Sequence, residues 1–134
     1  MSHDAGQAIF AADPASRSLG ITVREAGDGN AVVSMRVRDT MVNGHDIAHG
    51  GYLFLLADTA FAYACNSYGP ITVAAGAEIS FVTSARLDDL LIATATARTR
   101  YGRNGIYDVT VHRDDPDGRT VIAEFRGRSR EVAK

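Results

Sequence analysis

The segment from Val42 to Ser67, VNGHDIAHGGYLFLLADTAFAYACNS, holds the residues best suited to chemistry. A polar turn rich in His and Gly opens an apolar run that carries one acid, Asp58. Three and four residues to either side of that acid, the spacing that shares a helix face, stand Phe54, Leu55, Phe61 and Ala62. Whichever wall Asp58 points to is therefore apolar. Between Gly50 and Ala85 the only other formal charge is Glu78, so no nearby Lys or Arg neutralises the acid, and burial would raise its pKa. A carboxylate kept at that cost suits a general base or a nucleophile. The alternatives are an acid paired with a core hydroxyl such as Thr59 or Tyr63, or one on a polar stripe.

The turn before the helix has its own potential. His49-Gly50-Gly51 supplies a helix start, where backbone N–H groups and the helix dipole favour negative charge. Glycine has no side chain to keep a ligand from those amides, although a Gly pair also serves as an ordinary helix-entry turn. Gly50 and Asp58 are eight residues apart, and a helix rise of about 1.5 Å per residue separates them by roughly 12 Å. One carbonyl cannot touch both. If two such helices lie antiparallel across a two-fold axis, the Gly50 end of one comes beside Asp58 of the other, giving two equivalent composite sites. His45 and His49 have i,i+4 spacing, but the glycines around them argue against a preceding helix. No HExxH frame or Cys cluster accompanies them, so neither a metal nor a cofactor is expected.

The chain of 134 residues, 46% of them hydrophobic and with a formal charge of -2, fits one domain with a buried core. One cysteine, Cys65, rules out an internal disulfide and reads as a packed hydrophobe in a reducing compartment. The opening MSHDAGQAIFAADPASRS has acids where a secretory signal needs a basic start and an apolar run. No segment reaches the roughly 18 uninterrupted apolar residues of a membrane span. The near-neutral charge gives no reason to expect nucleic-acid binding, and the chain reads as cytoplasmic.

The elements that must position the helix are legible in outline. Residues 1–19 read as an N-terminal helical or irregular arm, broken near Asp13-Pro14. Strand-like runs follow at Ile21–Glu25 and Ala31–Arg38, joined by hairpin punctuation at Gly27-Asp28-Gly29-Asn30. The helix stops at Tyr68-Gly69-Pro70, and strands resume at Ile71–Thr83, Leu90–Arg100, Ile106–Arg113 and Thr120–Arg130. Two strands, one long helix and four strands make an α+β domain whose antiparallel sheet must wrap the helix.

That order, with NGHxxxHGG followed by LADTAFAYACNS, resembles the hotdog fold, specifically the phenylacetate-pathway (PaaI-type) acyl-CoA thioesterases. GRNGIYDVTV and VIAEFRGRS add a looser match, and the resemblance covers nearly all of residues 1–134. It implies hydrolysis of a small aryl acyl-CoA thioester, of the phenylacetyl or hydroxylated phenylacetyl type, in a homodimer with composite sites that pairs into a homotetramer. Gly50 matches the family's oxyanion position, with Gly51 the second donor. Asn43 matches the polar residue ahead of the turn, where its amide would hold water or carbonyl, or simply build the turn. His49 would orient the turn or approach the thioester sulfur. Arg103 and the alternating Arg126, Arg128 and Arg130 are candidates for the CoA phosphates, or else a solvated face guarding a sheet edge. Many relatives carry a Ser or Thr on the strand facing the acid; this chain reads Val73-Ala74-Ala75-Gly76-Ala77. The rival readings are a non-catalytic acyl-CoA-binding hotdog module and a hotdog dehydratase, which would need a His to partner the acid.

Overall fold

The computed structural model describes residues 13–132. The first element, α1 (Pro14–Ser18), begins at the point where the sequence suggested a break. Pro14 occupies the first turn, where its missing N–H costs nothing, and Asp13 caps the helix by accepting a hydrogen bond from Ser16 N at 3.1 Å. The Asp-Pro pair is thus a start signal; the arm's earlier residues lie outside the described ones.

Strands β1 (Thr22–Gly27) and β2 (Asn30–Arg36) form the expected antiparallel hairpin. Asp28 and Gly29 both take positive φ, 54° and 81°, as a two-residue turn of the tight hairpin type requires. After a short 3-10 turn comes α2 (Gly50–Asn66), then β3 (Thr72–Phe81), β4 (Leu90–Tyr101), β5 (Asn104–Asp115) and β6 (Gly118–Glu131). The strands form one antiparallel sheet in the order β1-β2-β4-β5-β6-β3. β3, which directly follows the helix, crosses the molecule to become an edge strand beside β6.

The sheet curls around α2. Leu53, Leu56, Ala57, Ala60, Phe61, Tyr63 and Ala64 of the helix are buried against the inward faces of the strands, including Val33, Met35, Leu91, Ala93, Val109, Val111 and Phe125. Phe61 is at the centre, its ring 5.5 Å from that of Tyr107 and 5.8 Å from that of Phe125. Burying Leu or Phe side chains stabilises by about 1.5–3 kcal/mol each, enough for the helix to carry one half-buried acid. No described helix is long and apolar enough to cross a membrane.

The cover is incomplete on one side of α2. Gly51 is exposed, and Leu55, Asp58, Ala62 and Asn66 are only partly covered; the spacing of three and four residues puts them on one stripe. The free edge at β3 is also apolar, with Ile71 62%, Val73 46%, Phe81 56% and Val82 57% exposed.

One buried polar group lies outside the helix packing. His112 on β5 is opposite Ile92 and Val121 and only 2% exposed. Its Nδ1 has no partner among the described residues, and its Nε2 is 3.4 Å from Asp114. Burial, and then the charge of Arg119, hold its pKa below the ordinary 6.5 against the pull of Asp114. The unfolded chain therefore binds a proton near pH 6.5 that the fold resists, and stability falls as pH drops through that value until the folded imidazole itself protonates. Thermal unfolding followed from about pH 7 to 5 should show this loss, and His112→Leu should flatten that part of the slope. An unchanged slope would exclude His112 as its source.

Candidate functional site

The turn leading into α2 is built by Asn43. Its Oδ1 accepts from His45 N at 2.8 Å and Ile47 N at 3.2 Å, while its own N–H donates to Ile47 O at 2.9 Å. The side-chain oxygen of Asn43 is therefore committed to the turn, and its Nδ2 is the atom left to meet a ligand. Ala48 N–H donates to Ala85 O at 2.8 Å and His49 N–H to Met41 O at 2.9 Å, which fixes the helix entry from both sides. His45 is an exposed loop residue. His49 occupies the N-cap position with extended backbone, but its side chain makes no capping hydrogen bond.

The first amides of α2, at Gly50 and Gly51, consequently have no acceptor among the described residues. Gly50 has a reason to be glycine beyond the turn itself, because a Cβ there would lie 2.8 Å from Cζ of Phe81. Phe81 is the last residue of β3, opposite Ala123 of β6 and so on the inward face. Gly50, Ile47, Ala48, Leu53, Phe81 and Val82, together with Thr83 and Ser84, line an open pocket of about 310 Å³ whose walls are apolar and polar in similar measure. At Gly51 a Cβ would meet nothing within 4 Å.

Asp58 is two turns further along the same helix, so helix rise keeps it about 12 Å from Gly50. Neither hydroxyl considered as a partner pairs with it. Thr59 donates to Leu55 O at 2.7 Å and meets Ser16 Oγ at 3.1 Å, and Tyr63 donates to Asp13 Oδ2 at 3.2 Å. Asp58 itself has no hydrogen bond or ion pair among the described residues. Burial, and then the negative charge of Asp13, push its carboxyl above the ordinary 3.8. The site is thus a half-buried, unpaired acid on the uncovered stripe of a helix whose open amides sit at its far end. Cys65, two helix turns beyond the acid, is a buried thiol pushed up to about 12 by burial, as a packed hydrophobe should be.

The arginines are placed differently from one another. Arg126 and Arg128 alternate on the outer face of β6, as their spacing implied, and each already has an acid. Arg126 holds Asp108 of β5 through two hydrogen bonds of 2.7 and 2.9 Å, and Arg128 reaches Glu78 of β3 at 3.0 Å. Arg103 is exposed in the β4–β5 turn with no ion pair among the described residues. The inward positions of β3, Ala77, Ile79 and Phe81, face Gly127, Phe125 and Ala123 across the ladder and bring no hydroxyl toward the helix. Among the described residues, no group of three His, Cys, Asp or Glu gathers as a metal site. Sequence reasoning missed two neighbours, Asp13 beside Asp58 and Phe81 over Gly50. The D-P-x-S helix start could have flagged the first.

Comparison with known proteins fits this arrangement. The thioesterase superfamily profile matches residues 45–119, from His45 through the site to β6. The chain is 42% identical to the acyl-coenzyme A thioesterase PaaI of Escherichia coli K12, over 98% of this chain and 94% of that protein. A solved structure of E. coli PaaI superposes with a TM-score of 0.93, covering 98% of this chain and 94% of that one at 39% identity. A thioesterase of Streptococcus pneumoniae TIGR4 solved with coenzyme A shares the fold at a TM-score of 0.84 and 22% identity, over 96% of this chain and 98% of that one. A sheet wrapped around one long helix, a glycine-led helix start and a mid-helix acid are here joined to that identity over nearly the whole chain. The chain belongs to the thioesterase superfamily, as a hotdog-fold acyl-CoA thioesterase of the PaaI type.

Proposed function

We propose that this thioesterase hydrolyses small aryl acyl-CoA thioesters, of the phenylacetyl or hydroxylated phenylacetyl type, in the cytoplasm. The reaction would run at composite sites shared between two copies of one 134-residue domain. The observation that carries the reading is the unpaired Asp58 on the uncovered stripe of α2, about 12 Å from the amides it must work with. A second copy docked with its helix antiparallel brings Gly50 of one subunit to Asp58 of the other. The apolar free edge of β3 suits the same pairing, because joining two such edges extends the sheet and covers Ile71, Val73 and Val82. Association of two dimers into a homotetramer belongs to the same proposal.

In each site the thioester carbonyl lies against Gly50 N–H, with Gly51 N–H as second donor, where negative charge developing on oxygen meets open amides and the helix dipole. Asp58 of the facing subunit either deprotonates the attacking water or attacks the carbonyl to form an anhydride that water then opens. Either way the C–S bond breaks and coenzyme A leaves as its thiol. Asn43 Nδ2 and His49, flanking the turn, hold water or the sulfur end of the substrate. Arg103 meets the CoA phosphates first. Arg126 and Arg128 would contribute only by exchanging their present acids.

The acyl preference draws on the pocket beside Gly50, where the Phe81 ring offers an aromatic wall to an aryl group. It draws also on two relatives. E. coli PaaI is described as from the phenylacetic acid degradation operon. A PaaI variant of Thermus thermophilus, 32% identical over 90% of this chain and 100% of that one with a TM-score of 0.83, is described as a phenylacetic acid degradation protein. Thiol release measured over a panel of acyl-CoAs should give the highest kcat/KM for arylacetyl thioesters; a preference for long aliphatic chains would refute the aryl reading.

Asp58→Asn should lower turnover at least about a hundredfold. Because folding raises this carboxyl's pKa, its ionisation weakens the fold as pH rises above 3.8, so the variant should melt no lower than wild type at neutral pH. A purified variant with near-normal turnover would remove Asp58 from the chemistry. Gly50→Ala forces the Phe81 ring aside and crowds the donor amide, and should reduce kcat more than it changes KM. Unchanged kinetics would dismiss Gly50 as the oxyanion donor.

The composite site is tested by mixing Asp58→Asn subunits with subunits carrying a bulky residue at Gly50, exchange being followed by mass. Each homodimer should be nearly inactive, whereas each heterodimer keeps one intact pair and should regain up to about half the wild-type rate. Heterodimers that form in good yield and stay inactive would show that the two groups do not meet across the interface.

A further inference from the structure

Asp13 and α1 dock on the flank of α2 next to Asp58 through a small polar cluster. Ser16, only 2% exposed, meets the Thr59 hydroxyl at 3.1 Å. Asp13 is held from two sides, with Oδ1 accepting from Ser16 N at 3.1 Å and Oδ2 accepting from the Tyr63 hydroxyl at 3.2 Å. Thr59 and Tyr63 are one and five residues beyond Asp58, so the arm sits against the side of the helix that adjoins the acid. The cluster places a second carboxylate near an acid that has no cation of its own.

We propose that Asp13 is a positioning residue for the thioesterase reaction: docked by α1 against α2, its carboxylate sustains a negative charge beside Asp58 and so tunes the reacting acid. The proposal rests on Asp58 being that acid. On α1 itself the other charged residue is Arg17, exposed in the last turn, and the charge that acts with burial to raise the Asp58 carboxyl is that of Asp13. The residues that β1 to β6 turn toward the helix include Val33 on β2, Leu91, Ala93 and Ala95 on β4, Val109 and the titratable Tyr107 on β5 and Phe125 on β6, while His112, also buried on β5, is opposite Ile92 and Val121. Burial pushes the Tyr107 and Tyr63 phenols up, and Cys65 remains a thiol, so none of these is charged near neutral pH. Asp13 is accordingly the charge that acts on Asp58, and it acts in the same direction as burial. A carboxylate made more basic this way is a stronger acceptor for the proton of an attacking water.

Asp13→Asn removes the charge while keeping an equally good N-cap for α1, and Asp13→Ser is a second neutral cap. In either variant the acidic limb of kcat/KM should move to lower pH, so that the ratio of the rate near pH 5 to that near pH 8 rises about twofold or more, while the plateau rate falls. Asp13→Glu should leave the limb near its wild-type position. In wild type, added salt should move the limb the same way as the neutral variants, and in those variants it should do so less. A rate lowered equally at every pH would mean that Asp13 only holds the arm in place, and an unchanged profile would mean that it does nothing; either result overturns the proposal. Asp58→Asn assayed alongside separates the two levels, because a variant that retains both turnover and the acidic limb refutes Asp58 as the acid rather than Asp13 as its neighbour.

Discussion

The structure depends on one shortage: a single curved sheet cannot cover a helix that is apolar nearly all round. Six strands bury the sides of α2 that carry Leu53, Leu56, Ala60, Phe61 and Ala64, and the remaining stripe stays open along the whole helix. On that stripe lies Asp58, flanked by Leu55 and Ala62. An acid on the sheet-facing side would be fully desolvated at a cost of several kcal/mol, whereas on the stripe it is half-buried. Water and substrate can reach it there, and its pKa rises without the fold failing. The free β3 edge is apolar as well, with Ile71, Val73, Phe81 and Val82 exposed.

How much of this was legible beforehand follows from which interactions are local. The helix was readable from its glycine start and its Tyr68-Gly69-Pro70 stop, and the strands from runs bounded by Gly, Asp, Asn and Pro, because turn chemistry is written in adjacent residues. Observed strand ends differ from the expected ones by no more than a few residues; β6, for instance, begins at Gly118 rather than Thr120. What adjacency does not encode is strand order. Nothing in the run from Thr72 to Phe81 announces that it pairs with β6 at the far end of the chain and forms an edge. The acids facing Arg126 and Arg128 were hidden for the same reason, since Asp108 and Glu78 become their neighbours only through that register.

The geometry of the candidate site was legible to the same degree. Gly50 and Asp58 are on one helix, and arithmetic with the helix rise sufficed to separate them. Asn43 was open between building the turn and binding a ligand, and the structure gives its oxygen to the turn while leaving Nδ2 available. Asp13 escaped notice because 45 residues separate it from Asp58 and because an Asp-Pro pair reads first as punctuation. Its second meaning comes from Tyr63 and Thr59, which turn a helix cap into a charge held against the neighbouring helix.

Phe81 and Gly50 constrain each other, one at the end of the edge strand and the other at the helix entry. The ring fills the space that any side chain at position 50 would need, so glycine there is favoured by the position of β3 as well as by the helix start. Phe81 also walls the cavity beside the Gly50 amide. A change that enlarges the cavity at Phe81 would therefore relax the demand for glycine and loosen the helix entry at once. The width of this pocket and the accessibility of the Gly50 amide are not independent variables, because one aromatic ring at the end of an edge strand borders both.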